Sequence, residues 1–459
     1  MNTDTIAAIA TGMNPSGIGI IRVSGEDATT VASSIFRKKN NKILDNPESH
    51  RAYFGYVHDD NNILDEVILL YFKGPKSFTG EDTIEIQCHG GILIMNKILD
   101  LCIKNGARIA EPGEFTKRAF INGKMDLSEA EAVMDIISSK NELSLNNSVK
   151  LLTGSLYNKI KEIREKLIYE IAYIESALDD PEHISLDGYS DKLSILVCDV
   201  LRQLEKLADS FDDGKLLSEG VNTVILGKPN VGKSSLLNIL AGSERAIVTD
   251  IAGTTRDIIE ETININGILL NIIDTAGIRN SDDVVEQIGV KKALSYAEDA
   301  DFIIHVVDSS CILSNEDDEI FSFIKKNNKK CVIILNKSDL ENVIGANEIA
   351  CYSSNNVISI STVDYTGIEE LKNYITELFS SGLIKYNDEI FITNKRQKEA
   401  LNVAIKSLLC VAKSISDDMP EDFYSIDLTE AYESLGHIIG EQIEEDVVNE
   451  IFSKFCMGK

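Results

Sequence analysis

A buried strand, VNTVIL, runs directly into GKPNVGKSSLLN, and that junction constrains the fold of this chain more than any other stretch of it. The loop fits Gly-x-x-x-x-Gly-Lys-Ser from Gly227 to Ser234, a phosphate-binding loop between a strand and a helix. Such a loop aims backbone amides and a helix N-terminus at phosphate oxygens, which places its strand in a mostly parallel sheet wound with helices. Asn230, Val231, Gly232, Lys233, Ser234 and Ser235 are the expected contacts. Lys233 neutralises the β and γ charges, and the Ser234 hydroxyl suits Mg²⁺.

Three further elements follow in the order that guanine nucleotide binding needs. TDIAGTTRD supplies Thr249, Asp250, Ile251, Ala252, Gly253, Thr254 and Thr255, the last able to complete the Mg²⁺ shell. A hairpin about Asn266-Gly267 then ends in Asp274, Thr275, Ala276 and Gly277. Asp274 suits support of the Mg²⁺ shell, and Gly277 a backbone amide to the γ-phosphate. KCVIILNKSD places Asn336, Lys337 and Asp339 at a strand end, where a carboxylate accepts both donors of the guanine edge. Ser361, Thr362 and Val363 form a last loop beside the base. The set identifies a GTP-binding domain of the Ras-like α/β class.

Its hydrolytic chemistry departs from the Ras pattern. Ile278 follows Asp-Thr-Ala-Gly where a water-orienting Gln often stands, and an apolar side chain cannot position water. Glu286, in the polar stretch IRNSDDVVEQIG, is a candidate for that task; a solvated surface glutamate is the alternative. No arginine finger is evident. A monovalent cation held by the Asn230 amide oxygen and carbonyls of the Thr249–Thr255 loop could supply the missing charge.

At 459 residues the chain should hold about three domains. Residues 1–118 read as an α+β module, with strands at GIGIIRVSG, DEVILLYFKG and DTIEIQCHGG and helices at GEDATTVASSIF and GILIMNKILDLCIKNG. Residues 119–218 and 385–459 carry helical periodicity and should close into one bundle around the inserted domain at 219–384. Val149 to Leu178 reads as one long helix, Ser128-x-x-Glu131 as a capping box, and Leu435, Ile439, Ile443, Val447, Ile451 and Phe455 as one final seam. The eight cysteines include no Cys-x-x-Cys pair, so neither a zinc site nor a disulfide framework is expected, and lone His89 reads as structural. No apolar run spans a bilayer and no signal peptide is visible, which predicts a cytoplasmic protein. A net charge of -29 argues against broad adhesion to nucleic acid.

Taken in order, GIGIIRVSG, SFTGEDTIEIQCHGG, EPGEFTKRAFINGKMDLSEAEA, GKPNVGKSSLLN, TDIAGTTRD, DTAGIR and terminal FCMGK resemble the MnmE (TrmE) family of tRNA-modification GTPases across essentially the whole chain. The resemblance implies a homodimer built through N-terminal domains that bind 5-formyltetrahydrofolate or another tetrahydrofolate one-carbon derivative. It also implies a heterotetramer with MnmG, an FAD-dependent partner, and addition of an aminomethyl or carboxymethylaminomethyl group to C5 of the wobble uridine of certain tRNAs, with K⁺-stimulated GTP hydrolysis. Residue by residue, Arg22, Glu85, Lys124 and Lys459 match its folate positions, Asn230, Thr249, Ile251 and Thr254 its K⁺ loop, and Glu286 its catalytic glutamate. Cys456 would then lie near the one-carbon unit or the tRNA base, a reactive thiol or one that simply packs. A GTP-timed assembly switch is the competing reading, and only the modification enzyme requires a folate pocket and a special C-terminus.

Overall fold

The computed structural model describes residues 4–60, 62–243, 261–273, 294–327, 329–349, 356–380, 390–443, 445–456 and 458. The chain divides into two compact units: Met1–Met134 with Leu151–Val197 and Lys406–Lys459, and Asp135–Lys150 with Cys198–Ile405. Among the described residues no helix is long and apolar enough to cross a membrane.

The first unit is built on strands β1 (Ile6–Ile9), β2 (Ser16–Ser24), β3 (Phe36–Lys38), β4 (Arg51–Asp59), β5 (Asn62–Phe72), β6 (Thr83–Gly90) and β7 (Arg108–Ile109), in the order β3-β4-β5-β6-β2-β1-β7. Period-two alternation in β6 sends Ile84, Ile86 and Cys88 into the core and Glu85 and Gln87 to the other face. Helices Ala28–Ile35 and Ile92–Lys104 close the apolar face with Val31, Ile35, Met95 and Ile98. The pairing of β2 with β6 sets Arg22 opposite Glu85. In the same unit the Ser155–Asp179 helix packs on Asp422–Ile439, where the Arg164 guanidinium lies 4.1 Å from the Tyr432 ring centroid and 2.6 Å from Glu441 Oε2.

Three local expectations are corrected here. The capping box is Asp126-x-x-Glu129, not Ser128-x-x-Glu131: Asp126 Oδ1 accepts the Ser128 and Glu129 amides, and Glu129 Oε2 accepts the Asp126 amide. The run from Val149 to Leu178 is two helices, Glu142–Leu152 and Ser155–Asp179, parted at Gly154. The final seam also breaks. Gly440 ends one helix at φ 92, and a Cβ there would meet the Phe120 ring, so a second helix, Glu445–Ser453, starts with its phase shifted. The shift buries Val448 and Phe452 and leaves Val447 exposed.

The second unit holds β8 (Val221–Leu226), β9 (Glu261–Ile265), β10 (Ile268–Ile273), β11 (Phe302–Asp308), β12 (Lys330–Asn336) and β13 (Asn356–Ser359), ordered β13-β12-β11-β8-β10-β9. All pairings are parallel except the β9–β10 hairpin, whose turn places Asn266 and Gly267 at φ 50 and 92. Burial on both faces explains why FIIHVVD reads as a continuous run without alternation. The segments 135–150, 198–218 and 390–405, helical by pattern, belong to this unit; Asn141 Nδ2 donates to Leu217 O, and Asn147 exchanges two bonds with the Phe391 backbone.

Candidate functional site

The phosphate loop leaves β8 at Gly227 and enters the Lys233–Ser243 helix. Asn230 and Gly232 adopt positive φ, 62 and 101, and a Cβ on Gly232 would strike Asn336 Nδ2. Only glycine permits that approach. The Lys233 ammonium donates to the carbonyls of Gly227 and Lys228, each at 2.6 Å, which fixes the cation against the start of the loop. Ser234 and Ser235 lie exposed at the start of the helix, and Val231 is buried beneath it.

Asn336, fully buried at the end of β12, joins this loop to the base side. Its Nδ2 donates to Val231 O at 2.7 Å, and its Oδ1 accepts the Thr362 amide at 3.3 Å. Asp339 is oriented by Ser361, whose Oγ donates to Oδ1 at 2.7 Å and itself accepts the amides of Val363 and Asp364. Lys337, at φ 66, donates to Asp308 Oδ2 at 2.5 Å. Burial raises the Asp308 pKa, but Lys337 and the Ser310 amide and hydroxyl outweigh it and hold the carboxyl below its ordinary range. Asp308 was not singled out by sequence reasoning. The available signal was its place at the C-terminal end of a buried parallel strand, where ligand-facing groups of such sheets gather.

In the first unit Arg22 on β2 faces Glu85 on β6, and Arg22 and Lys124 both meet the loop that carries Pro75 and Phe78. Arg22 donates through Nε and Nη2 to Glu85 Oε1, at 3.0 and 2.8 Å, and stacks within 5.3 and 5.6 Å of the Phe78 and Phe115 ring centroids. Lys124 Nζ donates to Pro75 O. The loop carrying Pro75 and Phe78 is braced by Arg118, which pairs with Glu81, Asp4 and Glu114. The chain end reaches the same neighbourhood: Cys456 O accepts the Gly113 amide at 3.3 Å, and a Cβ on Gly458 would meet Ile9 O and Ala10 Cα. Ile9 pairs with Ile21 and Ala8 with Arg22, so the tail arrives beside the strand next to Arg22. Cys456 is half-buried. His89 is engaged by Asp65 at 2.6 Å.

This donor set fits the groups expected of it. A carboxylate oriented by a hydroxyl suits a guanine edge, a lysine held by two carbonyls suits phosphates, and an Arg–Glu pair whose arginine lies near two aromatic rings suits a flat heterocycle with a polar rim. Thr249, Asp250, Ile251, Ala252, Gly253, Thr254, Thr255, Asp274, Thr275, Ala276, Gly277, Ile278, Glu286 and Lys459 lie outside the described residues.

Comparison with known proteins gives the following likenesses. Residues 127–456 match the family model described as MnmE helical domain, and residues 5–124 match that described as GTP-binding protein TrmE N-terminus. The tRNA modification GTPase MnmE of Lachnoclostridium phytofermentans is 54% identical over 460 residues, covering 100% of both chains. Its counterpart from Clostridioides difficile is 47% identical, covering 99% of each. A crystal structure of the G domain of the T. maritima FeoB iron transporter matches with 28% identity, 34% of this chain, 97% of that chain and a TM-score of 0.26.

Proposed function

The chain belongs to the MnmE family of tRNA modification GTPases, and from that premise we propose that it is a K⁺-stimulated GTPase that works with MnmG on the wobble uridine of certain tRNAs. In this reading a tetrahydrofolate one-carbon derivative supplies the carbon added at C5, as part of an aminomethyl or carboxymethylaminomethyl group. The observation that carries it is the co-occurrence, in one chain, of the Lys233, Asn336 and Asp339 arrangement and a C-terminal tail seated against β1, the strand paired with that of Arg22. A GTP-timed switch has no need of the second feature.

On the nucleotide side, Lys233 neutralises phosphate charge from a position preset by two carbonyls, and Asp339 reads guanine from a rotamer preset by Ser361. Ser234 and Thr255 would hold Mg²⁺, and Asn230, Thr249, Ile251 and Thr254 would hold K⁺. These cations supply positive charge to the transferring phosphoryl oxygens. With Ile278 unable to orient water, Glu286 takes that role. On the folate side Arg22, Glu85, Lys124 and Lys459 bind and orient, and Cys456 lies near the carbon to be transferred. We further assign residues 1–118 to folate binding and dimerisation, 119–218 and 385–459 to the helical domain, and 219–384 to the GTPase domain, in a cytoplasmic complex.

GTP turnover by the purified chain, measured in KCl and NaCl of equal ionic strength, tests the hydrolytic half. The expected result is turnover roughly tenfold or more higher in KCl, because a cation at developing charge is worth several kcal/mol. Equal rates would remove K⁺ from the account.

A further inference from the structure

Beneath the phosphate loop lies a group of polar side chains with no place in nucleotide contact. Asp317, at the start of the Asn315–Asn327 helix, is fully buried, yet it is a carboxylate. Its Oδ2 accepts the Ser314 amide at 2.9 Å and the Ser314 hydroxyl at 3.1 Å, which completes a helix cap. The cap alone does not account for a third partner. Lys228, the second residue of the phosphate loop, brings its ammonium to 2.7 Å from the same oxygen. Among the described residues Asp317 Oδ1 has no hydrogen-bond partner, nor has either ring nitrogen of His305. That histidine is fully buried on β11, its ring 4.7 Å from the Phe321 ring centroid. Burial pushes the His305 pKa down to about 4, so the ring is neutral near pH 7 and does not balance the Asp317 charge. Lys228 balances it.

A buried ion pair is a poor way to add stability, because desolvation of both charges offsets most of their attraction. What it does fix is geometry, since removing either partner strands the other. Here the fixed object is the first half of the phosphate loop: the carbonyls of Gly227 and Lys228 are the two that hold the Lys233 ammonium.

We propose that Asp317 is a positioning residue for phosphate binding, acting through Lys228 to hold the 227–228 carbonyls where they aim Lys233. The proposal rests on the phosphate-loop reading and adds to it a buried anchor on the far side of the loop. It predicts that nucleotide affinity depends on a charge pair that touches no nucleotide.

The test measures GDP and GTP affinity and GTPase kinetics of the full chain, with Lys233→Ala as reference. Asp317→Asn keeps the shape and removes the charge. It should weaken GDP and GTP by about tenfold, the scale of one charged hydrogen bond, raising KM while kcat stays within about twofold. Lys228→Met should reproduce the loss, and Lys228→Arg should retain wild-type affinity. Should Asp317→Asn fail to fold, Lys228→Met, altered at the accessible end of the pair, decides alone. Wild-type affinity in folded Asp317→Asn or in Lys228→Met overturns the proposal, as does equal loss in Lys228→Arg and Lys228→Met. Absence of GDP binding by the unaltered chain, or full binding by Lys233→Ala, would instead overturn the phosphate-loop reading itself.

Discussion

In the proposed function Asp339 carries the choice of base in a single carboxylate, and its hydrogen bond from Ser361 sets which way that carboxylate faces. A carboxylate only accepts, so it matches the two donors of guanine and leaves adenine unpaired. Asp339→Asn replaces one acceptor by a donor. We expect GTP affinity to fall by roughly a hundredfold and xanthosine triphosphate, which presents a carbonyl at the same edge, to bind better than GTP. Competition titrations of the two nucleotides check this, and an unchanged preference for GTP would remove Asp339 from base recognition. Residues of this kind were legible in sequence because their spacing is the signal. Their supports were not: Asp308 under Lys337 and Asp317 under Lys228 are 29 and 89 positions from the lysines they hold, and no local pattern links them.

At the scale of the element, periodicity located the helices and misplaced their ends. Apolar spacing runs unbroken through Gly154 and Gly440, so a stripe of Leu, Ile and Val cannot reveal that the backbone turns there. The turn at Gly440 is settled by the Phe120 ring, a contact from 320 positions away in sequence. The start of the Leu127–Ser138 helix was misread by two residues because Asp126-x-x-Glu129 and Ser128-x-x-Glu131 both satisfy the capping pattern. The two can be separated by experiment. Asp126→Ala strands the Ser128 amide, the Ser128 hydroxyl and the Glu129 amide, and should cost about 1–2 kcal/mol locally. Ser128→Ala removes one donor and should cost less. Hydrogen exchange at the first turn of this helix reads both, and greater loss of protection in Ser128→Ala would contradict the assigned cap.

Across the whole molecule the net charge of -29 argues against broad adhesion to nucleic acid, and motifs alone carried the resemblance to the family that the relatives show. What motifs could not give is the ion network that ties the loop beside Arg22 to Asp4 ahead of β1, to β7 and to the Glu114–Ile121 helix. The Arg108 guanidinium beside Asp4 holds that carboxyl below its usual range, and burial raises Glu114 but is outweighed by Arg108 and Arg118. A carboxylate held low in the folded state is protonated first when unfolded. The stability it contributes is therefore full above the ordinary values, 3.8 and 4.5, and is lost as pH falls below them through the lowered folded pKa values. Acid titration by circular dichroism should find the first unit intact at pH 5 and failing below about pH 4, and a transition already complete at pH 5 would contradict this. Nucleoside analysis of tRNA after incubation with this chain, MnmG with its FAD and a reductant for it, GTP, a one-carbon tetrahydrofolate and an amine (ammonium or glycine) should reveal a C5-modified wobble uridine that disappears when this chain, its Lys233 or the folate is removed; modification that persists without any one of them would contradict the account.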